Sequence, residues 1–126
     1  MACDFSRRAN KESKQMEMRE EAIKREELLR LVKEAVRELV PDAEIILYGS
    51  RARGTARADS DWDFLILLPS PAESDLERQI RDRLYDVELE TDTVLSSIIL
   101  SRQEWLSERY EITPFRREIE RDGIAV

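Results

Sequence analysis

Residues 45–69 read IILYGSRARGTARADSDWDFLILLP. Two apolar runs, Ile45–Tyr48 and Phe64–Leu68, bracket a polar loop. Each run is short and rich in β-branched and large side chains, the pattern of a buried strand. Within the loop the charge changes sign: Arg51, Arg53 and Arg57 come first, then Asp59, Asp61 and Asp63. Asp61 and Asp63 stand two apart at the start of a strand, whose side-chain period sends both carboxylates to one face and Trp62 to the other. Ionised carboxylates that close repel each other unless a cation sits between them. Mg²⁺, a hard oxygen-seeking ion, takes one or two protein carboxylates together with phosphate oxygens. Gly49 permits close backbone approach, Ser50 can cap a turn or offer its hydroxyl, and N–H groups opening a helix near Ser50 would face an anion. The stretch reads as a cradle for a polyphosphate and its metal ions.

Gly49-Ser50, ten intervening residues, then Asp61-Trp62-Asp63 resembles the signature of the DNA polymerase beta-like nucleotidyltransferase superfamily. At 126 residues the chain is most similar to the minimal nucleotidyltransferases, many of which pair with HEPN-domain proteins in toxin–antitoxin modules. The resemblance covers residues 28–100 and is carried by the Gly-Ser, the Asp-x-Asp and both flanking apolar runs together. It implies that Asp61 and Asp63 are catalytic ligands of two Mg²⁺ ions and that Gly49 and Ser50 grip the triphosphate of ATP. Arg51 and Arg53 would neutralise its outer phosphates, which the planar guanidinium fork does well. The superfamily usually carries a third acid on the strand after the intervening helix. Here that strand, TVLSSIIL (residues 93–100), offers Ser96 or Ser97 at that point. Tyr85–Glu90 reads either as the last turns of the helix that opens near Asp75 or as an extended piece that would present Glu88 or Glu90, and Glu90 is the candidate third metal ligand.

Composition narrows the alternatives. The length fits one domain, read as residues 23–126 preceded by a charged extension over residues 1–22. Net charge is −7, and residues 41–126 alone carry eleven Lys/Arg against nineteen Asp/Glu. So acidic a body argues against nucleic acid as main ligand, since phosphate backbones need a basic footprint. The single cysteine, Cys3, rules out an intramolecular disulfide, and the absence of histidine removes histidine bases and histidine metal sites. No apolar run approaches the ~20 residues that span a membrane, and no signal-peptide core opens the chain, so the expected compartment is the cytoplasm.

Along the chain, residues 1–10 read as a polar tail and residues 11–40 as helix, dense in Glu, Lys, Arg and Leu. Ile23, Leu28, Leu29, Val32, Ala35, Val36 and Leu39 recur at three- and four-residue steps. Pro41-Asp42 breaks that helix, and strands are expected at Glu44–Tyr48, Asp63–Leu68 and Thr93–Leu100. Ser74 with Glu77 and Ser101 with Glu104 match capping boxes, and Thr113-Pro114 matches an N-cap followed by proline. Asp59 reads as a loop or capping residue, and Trp62 and Trp105 as core.

The fold expected is α/β or α+β, a small mixed sheet of three to five strands with helices mainly on one face. The activity expected is Mg²⁺-dependent transfer of a nucleoside monophosphate, AMP from ATP, to a hydroxyl acceptor. By resemblance the acceptor belongs to a HEPN-type partner protein. The rival reading is a catalytically impaired nucleotide- or protein-binding module. A small-molecule transferase would need a second domain for its acceptor, which a homo-oligomer could supply.

Overall fold

A computed structural model describes the backbone of residues 2–126 and the side-chain environment of residues 13–126 except Met18 and Ile23. The expected contribution of Ile23 to the apolar stripe lies outside the described residues, as does that of Met18. Helix α1 runs Ala2–Leu39, so the backbone of residues 2–10 is helical and not the non-periodic tail the composition suggested. Among the described residues its buried positions are Leu28, Val32, Ala35 and Val36, at steps of four, three and one. That spacing lays them along one side of the helix. The turn at Pro41-Asp42 returns the chain into β1 (Glu44–Tyr48), with the Ala43 N–H donating to the Val40 carbonyl.

From β1 the chain passes through the single turn of α2 (Ser50–Arg53) and a loop to β2 (Trp62–Leu68). Helix α3 (Ser74–Thr91) crosses back to β3 (Leu95–Ser101). Three short helices follow, α4 (Arg102–Trp105), α5 (Glu108–Glu111) and α6 (Pro114–Asp122), before the two-residue strand β4 (Ile124–Ala125). The sheet order is β3-β2-β1-β4, with β1 antiparallel to β2 and β4, and β2 parallel to β3. A parallel pair needs a crossover, and α3 is that crossover. β2 is central and covered on both faces, which is why Phe64–Leu68 is apolar without interruption.

The two faces bury different cores. Ile45, Leu47, Phe64, Ile66 and Leu68 face α1 and α3, while Leu65, Leu67 and Leu100 face Trp105 and Ile119. The long helices thus share one face, as expected, and the short ones cover part of the other. One open choice is resolved and one local expectation needs correction. Tyr85–Glu90 is helical, because Ile80, Leu84 and Val87 recur at helical spacing and are buried while Tyr85 and Leu89 are 58% and 66% exposed. Ser74 and Glu77 form no capping box: the N-cap is Glu73, without a side-chain bond, and Glu77 pairs with Arg81. The other caps form as expected. Ser101 Oγ accepts from the Glu104 N–H at 3.1 Å, and Thr113 Oγ1 accepts from the Arg116 N–H at 3.1 Å.

Candidate active site

β1 ends on Tyr48, and the next residue turns the chain. Gly49 has φ +74°, a conformation that only glycine adopts without strain, and it serves as N-cap of α2. The N–H groups of Ala52 and Arg53 both turn back to the Gly49 carbonyl. Gly54, at φ +76°, closes the turn, its N–H donating to the Ser50 carbonyl. A Cβ on Gly49 would collide with the Asp63 carboxylate, lying 3.3 Å from its Cγ. The Gly-Ser turn and the second aspartate are therefore in van der Waals contact, fourteen residues apart in sequence.

Asp63 is fixed by the sheet, opposite Tyr48 on β1 and beside Ser96 on β3. Asp61 lies one residue before β2 and is exposed. Among the described residues neither carboxylate accepts a hydrogen bond or pairs with a cation within ion-pair distance. Burial, and then the charges of Asp61 and Glu118, raise the pKa of Asp63, with Arg53 opposing them. Burial, with Asp63 and Glu118 nearby, pushes the Tyr48 phenol up to about 12. Two hard oxygen donors, neither of them ion-paired among the described residues, fit a divalent ion that completes its shell with phosphate and water.

Arg53 reaches across to α6, where its Nη1 donates to Glu118 Oε1 at 3.0 Å. Arg51 is committed differently. Its Nη2 donates to the Ser60 carbonyl at 2.9 Å and the Ala58 carbonyl at 3.2 Å, and its guanidinium lies 4.4 Å from the Trp62 ring centroid. Ser60 Oγ accepts from the Arg57 N–H at 2.9 Å, and Asp59 is exposed in the loop. Trp62 and Trp105 are each 7% exposed, in the core as expected.

Among the described residues Glu90 forms no three-acid cluster with Asp61 and Asp63, and no three acids or cysteines converge to hold a metal. Helix α3 buries Ile80, Leu84 and Val87 and leaves Glu90 exposed on its last turn. Ser96, in register with Asp63 and exposed, occupies the place where the third acid was sought. A hollow lined by Leu68, Pro71 and Glu104 lies at the opposite end of β2 and β3 from Asp63. Sequence reasoning missed Glu118, Tyr48 and Arg25. For Glu118 the available signal was the Thr113-Pro114 helix start, with Phe115 and Ile119 on its apolar side.

The geometry has counterparts. Residues 29–125 match the family model described as a nucleotidyltransferase domain. A Haemophilus influenzae protein named as a probable protein adenylyltransferase, MntA, is 40% identical over 70 residues, which cover 56% of this chain and 57% of that protein. Among solved structures, a toxin–antitoxin crystal structure with AMP-PNP superposes with a TM-score of 0.52 at 19% identity. That match covers 73% of this chain and 66% of the other, and it concerns the fold. The chain spans a little over half the length of the Haemophilus relative. No described helix is long and apolar enough to cross a membrane.

Proposed function

Because the chain belongs to the nucleotidyltransferase domain family, we propose that it transfers AMP from ATP to a hydroxyl acceptor, with Asp61 and Asp63 as the Mg²⁺ ligands. The observation that carries this reading is the contact of the Gly49 turn with the Asp63 carboxylate, which brings the Gly-Ser turn and the second aspartate to one point. The preference for adenine rests on the name of the Haemophilus relative and on the AMP-PNP of the toxin–antitoxin neighbour.

In this reaction the acceptor oxygen bonds to the α-phosphorus as the bond to pyrophosphate breaks, and the hydroxyl proton leaves to solvent. Bound Mg²⁺ supplies neutralisation of the triphosphate and activation of the acceptor oxygen. Asp61 and Asp63 would hold it, and Gly49-Ser50 would seat the triphosphate. Arg53, whose charge already acts on Asp63, is the loop arginine that can turn to the phosphates. Its ion pair with Glu118 is 32–39% exposed, and such a pair is worth only about 0–1 kcal/mol, so phosphate oxygens can share or take the guanidinium at little cost. The acceptor we propose is a side chain of a partner protein of the HEPN type, with adenylylation silencing that partner.

Ser96 beside Asp63 favours one rival, a binding module of the same fold that no longer transfers. Label transfer from α-³²P-ATP with Mg²⁺, in a lysate of the host, separates the two. A discrete labelled protein that disappears in D61N/D63N is the expected result. Nucleotide binding by calorimetry without any labelling would replace transfer by the binding reading.

A further inference from the structure

Asp63 and Asp61 are held by different means. Asp63 sits inside the β1–β2–β3 ladder, whereas Asp61 precedes β2 at the end of a loop without regular structure. Trp62 anchors that end to β3, its N–H donating to the Val94 carbonyl, and a pair of arginines braces the residues just before it. Arg51 donates from Nε at 3.3 Å and from Nη2 at 2.9 Å to the carbonyl of Ser60, the residue whose peptide bond leads into Asp61. The same Nη2 donates to the Ala58 carbonyl at 3.2 Å. The guanidinium lies over Trp62, the residue that follows Asp61. Arg25, on α1, then donates from Nη1 to the Arg51 carbonyl at 2.9 Å, with its own guanidinium 5.9 Å from the Trp62 centroid.

From this arrangement we infer that Arg51 and Arg25 are positioning residues that set the place of Asp61, and that Arg51 is not a ligand of the triphosphate. The residues on either side of the metal-binding acid are clamped by Arg51, Ser60 through its carbonyl and Trp62 through its ring face. A planar fork meets both requirements at once, donating in its plane while stacking on the indole. The two guanidinium groups repel each other, and the carbonyl acceptors and the negative ring face offset that repulsion. Arg25 lies outside residues 29–125, the stretch matched by the family model. The brace therefore joins the N-terminal helix to the site.

The inference rests on the reading of Asp61 as a metal ligand, and its test tells the two apart. Mn²⁺ would be titrated into full-length wild-type, R51K, R25Q, R53K and D61N/D63N proteins by electron paramagnetic resonance, with α,β-methylene-ATP present. Lysine keeps the charge of Arg51 but loses the fork. R25Q alters a side chain on a helix that Leu28, Val32 and Val36 anchor independently, and thermal melts confirm folding of both. The expected result is Mn²⁺ affinity weakened about tenfold in R51K and by a smaller factor in R25Q, the scale of lost support for a metal ligand. Nucleotide affinity without metal should change less than twofold in both, while R53K weakens it. Saturating metal should restore the transfer rate of R51K towards wild type. Unchanged Mn²⁺ affinity in R51K and R25Q, or a metal-free nucleotide defect in R51K as large as that of R53K, would overturn the inference and leave the metal site standing. Wild type that binds no Mn²⁺ would overturn both.

Discussion

Asp63 is a carboxylate that the fold keeps at a cost. Burial, Asp61 and Glu118 raise its pKa above the unfolded value of 3.8. The folded state then binds a proton more tightly than the unfolded state, so this residue's stabilising contribution is present below pH 3.8 and is lost as pH rises through the folded pKa. At neutral pH the ionised group destabilises the metal-free protein. D63N should therefore raise the melting temperature at pH 7 in chelator by roughly 1–4 °C, with the advantage vanishing in melts below pH 4. Gly49 is the complementary case. G49A puts a Cβ both into a positive-φ backbone and against the Asp63 carboxylate. We expect a loss of about 1–3 kcal/mol by urea denaturation and a fall in label transfer beyond what the lost stability explains. Wild-type transfer by a folded G49A protein would show that the contact is dispensable.

At the scale of elements, α6 decides whether Glu118 faces Asp63. Its first turn is held by Thr113, whose side chain accepts from the Arg116 N–H, and by Pro114 at the first helical position. Phe115 packs edge-on against Tyr48 and Trp105 at 5.2 and 5.7 Å between centroids, fixing the helix over β1. T113A should cost about 1 kcal/mol, measured as a lower urea midpoint with unchanged slope. β3 shows a second element-scale feature. LSSIILS carries no charge and lies at the sheet edge. Arg81 of α3 donates to the Ser97 carbonyl and hydroxyl at 3.4 and 3.2 Å, which places a cation along an edge that would otherwise invite pairing with another strand.

For the whole molecule the deciding quantity is charge. The chain carries −7, and the excess acid lies in residues 41–126. A cation-loaded nucleotide relieves repulsion at the site, whereas free ATP adds to it. Mg²⁺ with ATP at a hundred times its dissociation constant should stabilise the fold by about 2.7 kcal/mol, raising the melting temperature by roughly 5–10 °C. ATP in chelator should shift it far less, and D61N/D63N should abolish the difference. Equal shifts with and without Mg²⁺ would mean that the acids do not hold the metal.

The local sequence alone determined β1 at Glu44–Tyr48, the central strand, the glycine turn, the Thr113 and Ser101 caps and the amphipathic face of α1 from Leu28 onward. All of these follow from side-chain period, backbone freedom and hydrogen bonds within a few residues. The candidate site was half legible in the same way, since Gly49, Asp61 and Asp63 lie within fifteen residues of one another. Tyr85–Glu90 fits both a period of two and a helix, and only packing of Leu84 and Val87 into the core resolves it. Tertiary structure decided the rest. It set Ser96 beside Asp63 through strand register, carried Glu118 to Arg53 from 65 residues away, and bound Arg51 to the loop backbone. Register and helix docking depend on how whole apolar faces fit together, and that fit is a property of the assembled core which no short stretch of sequence contains.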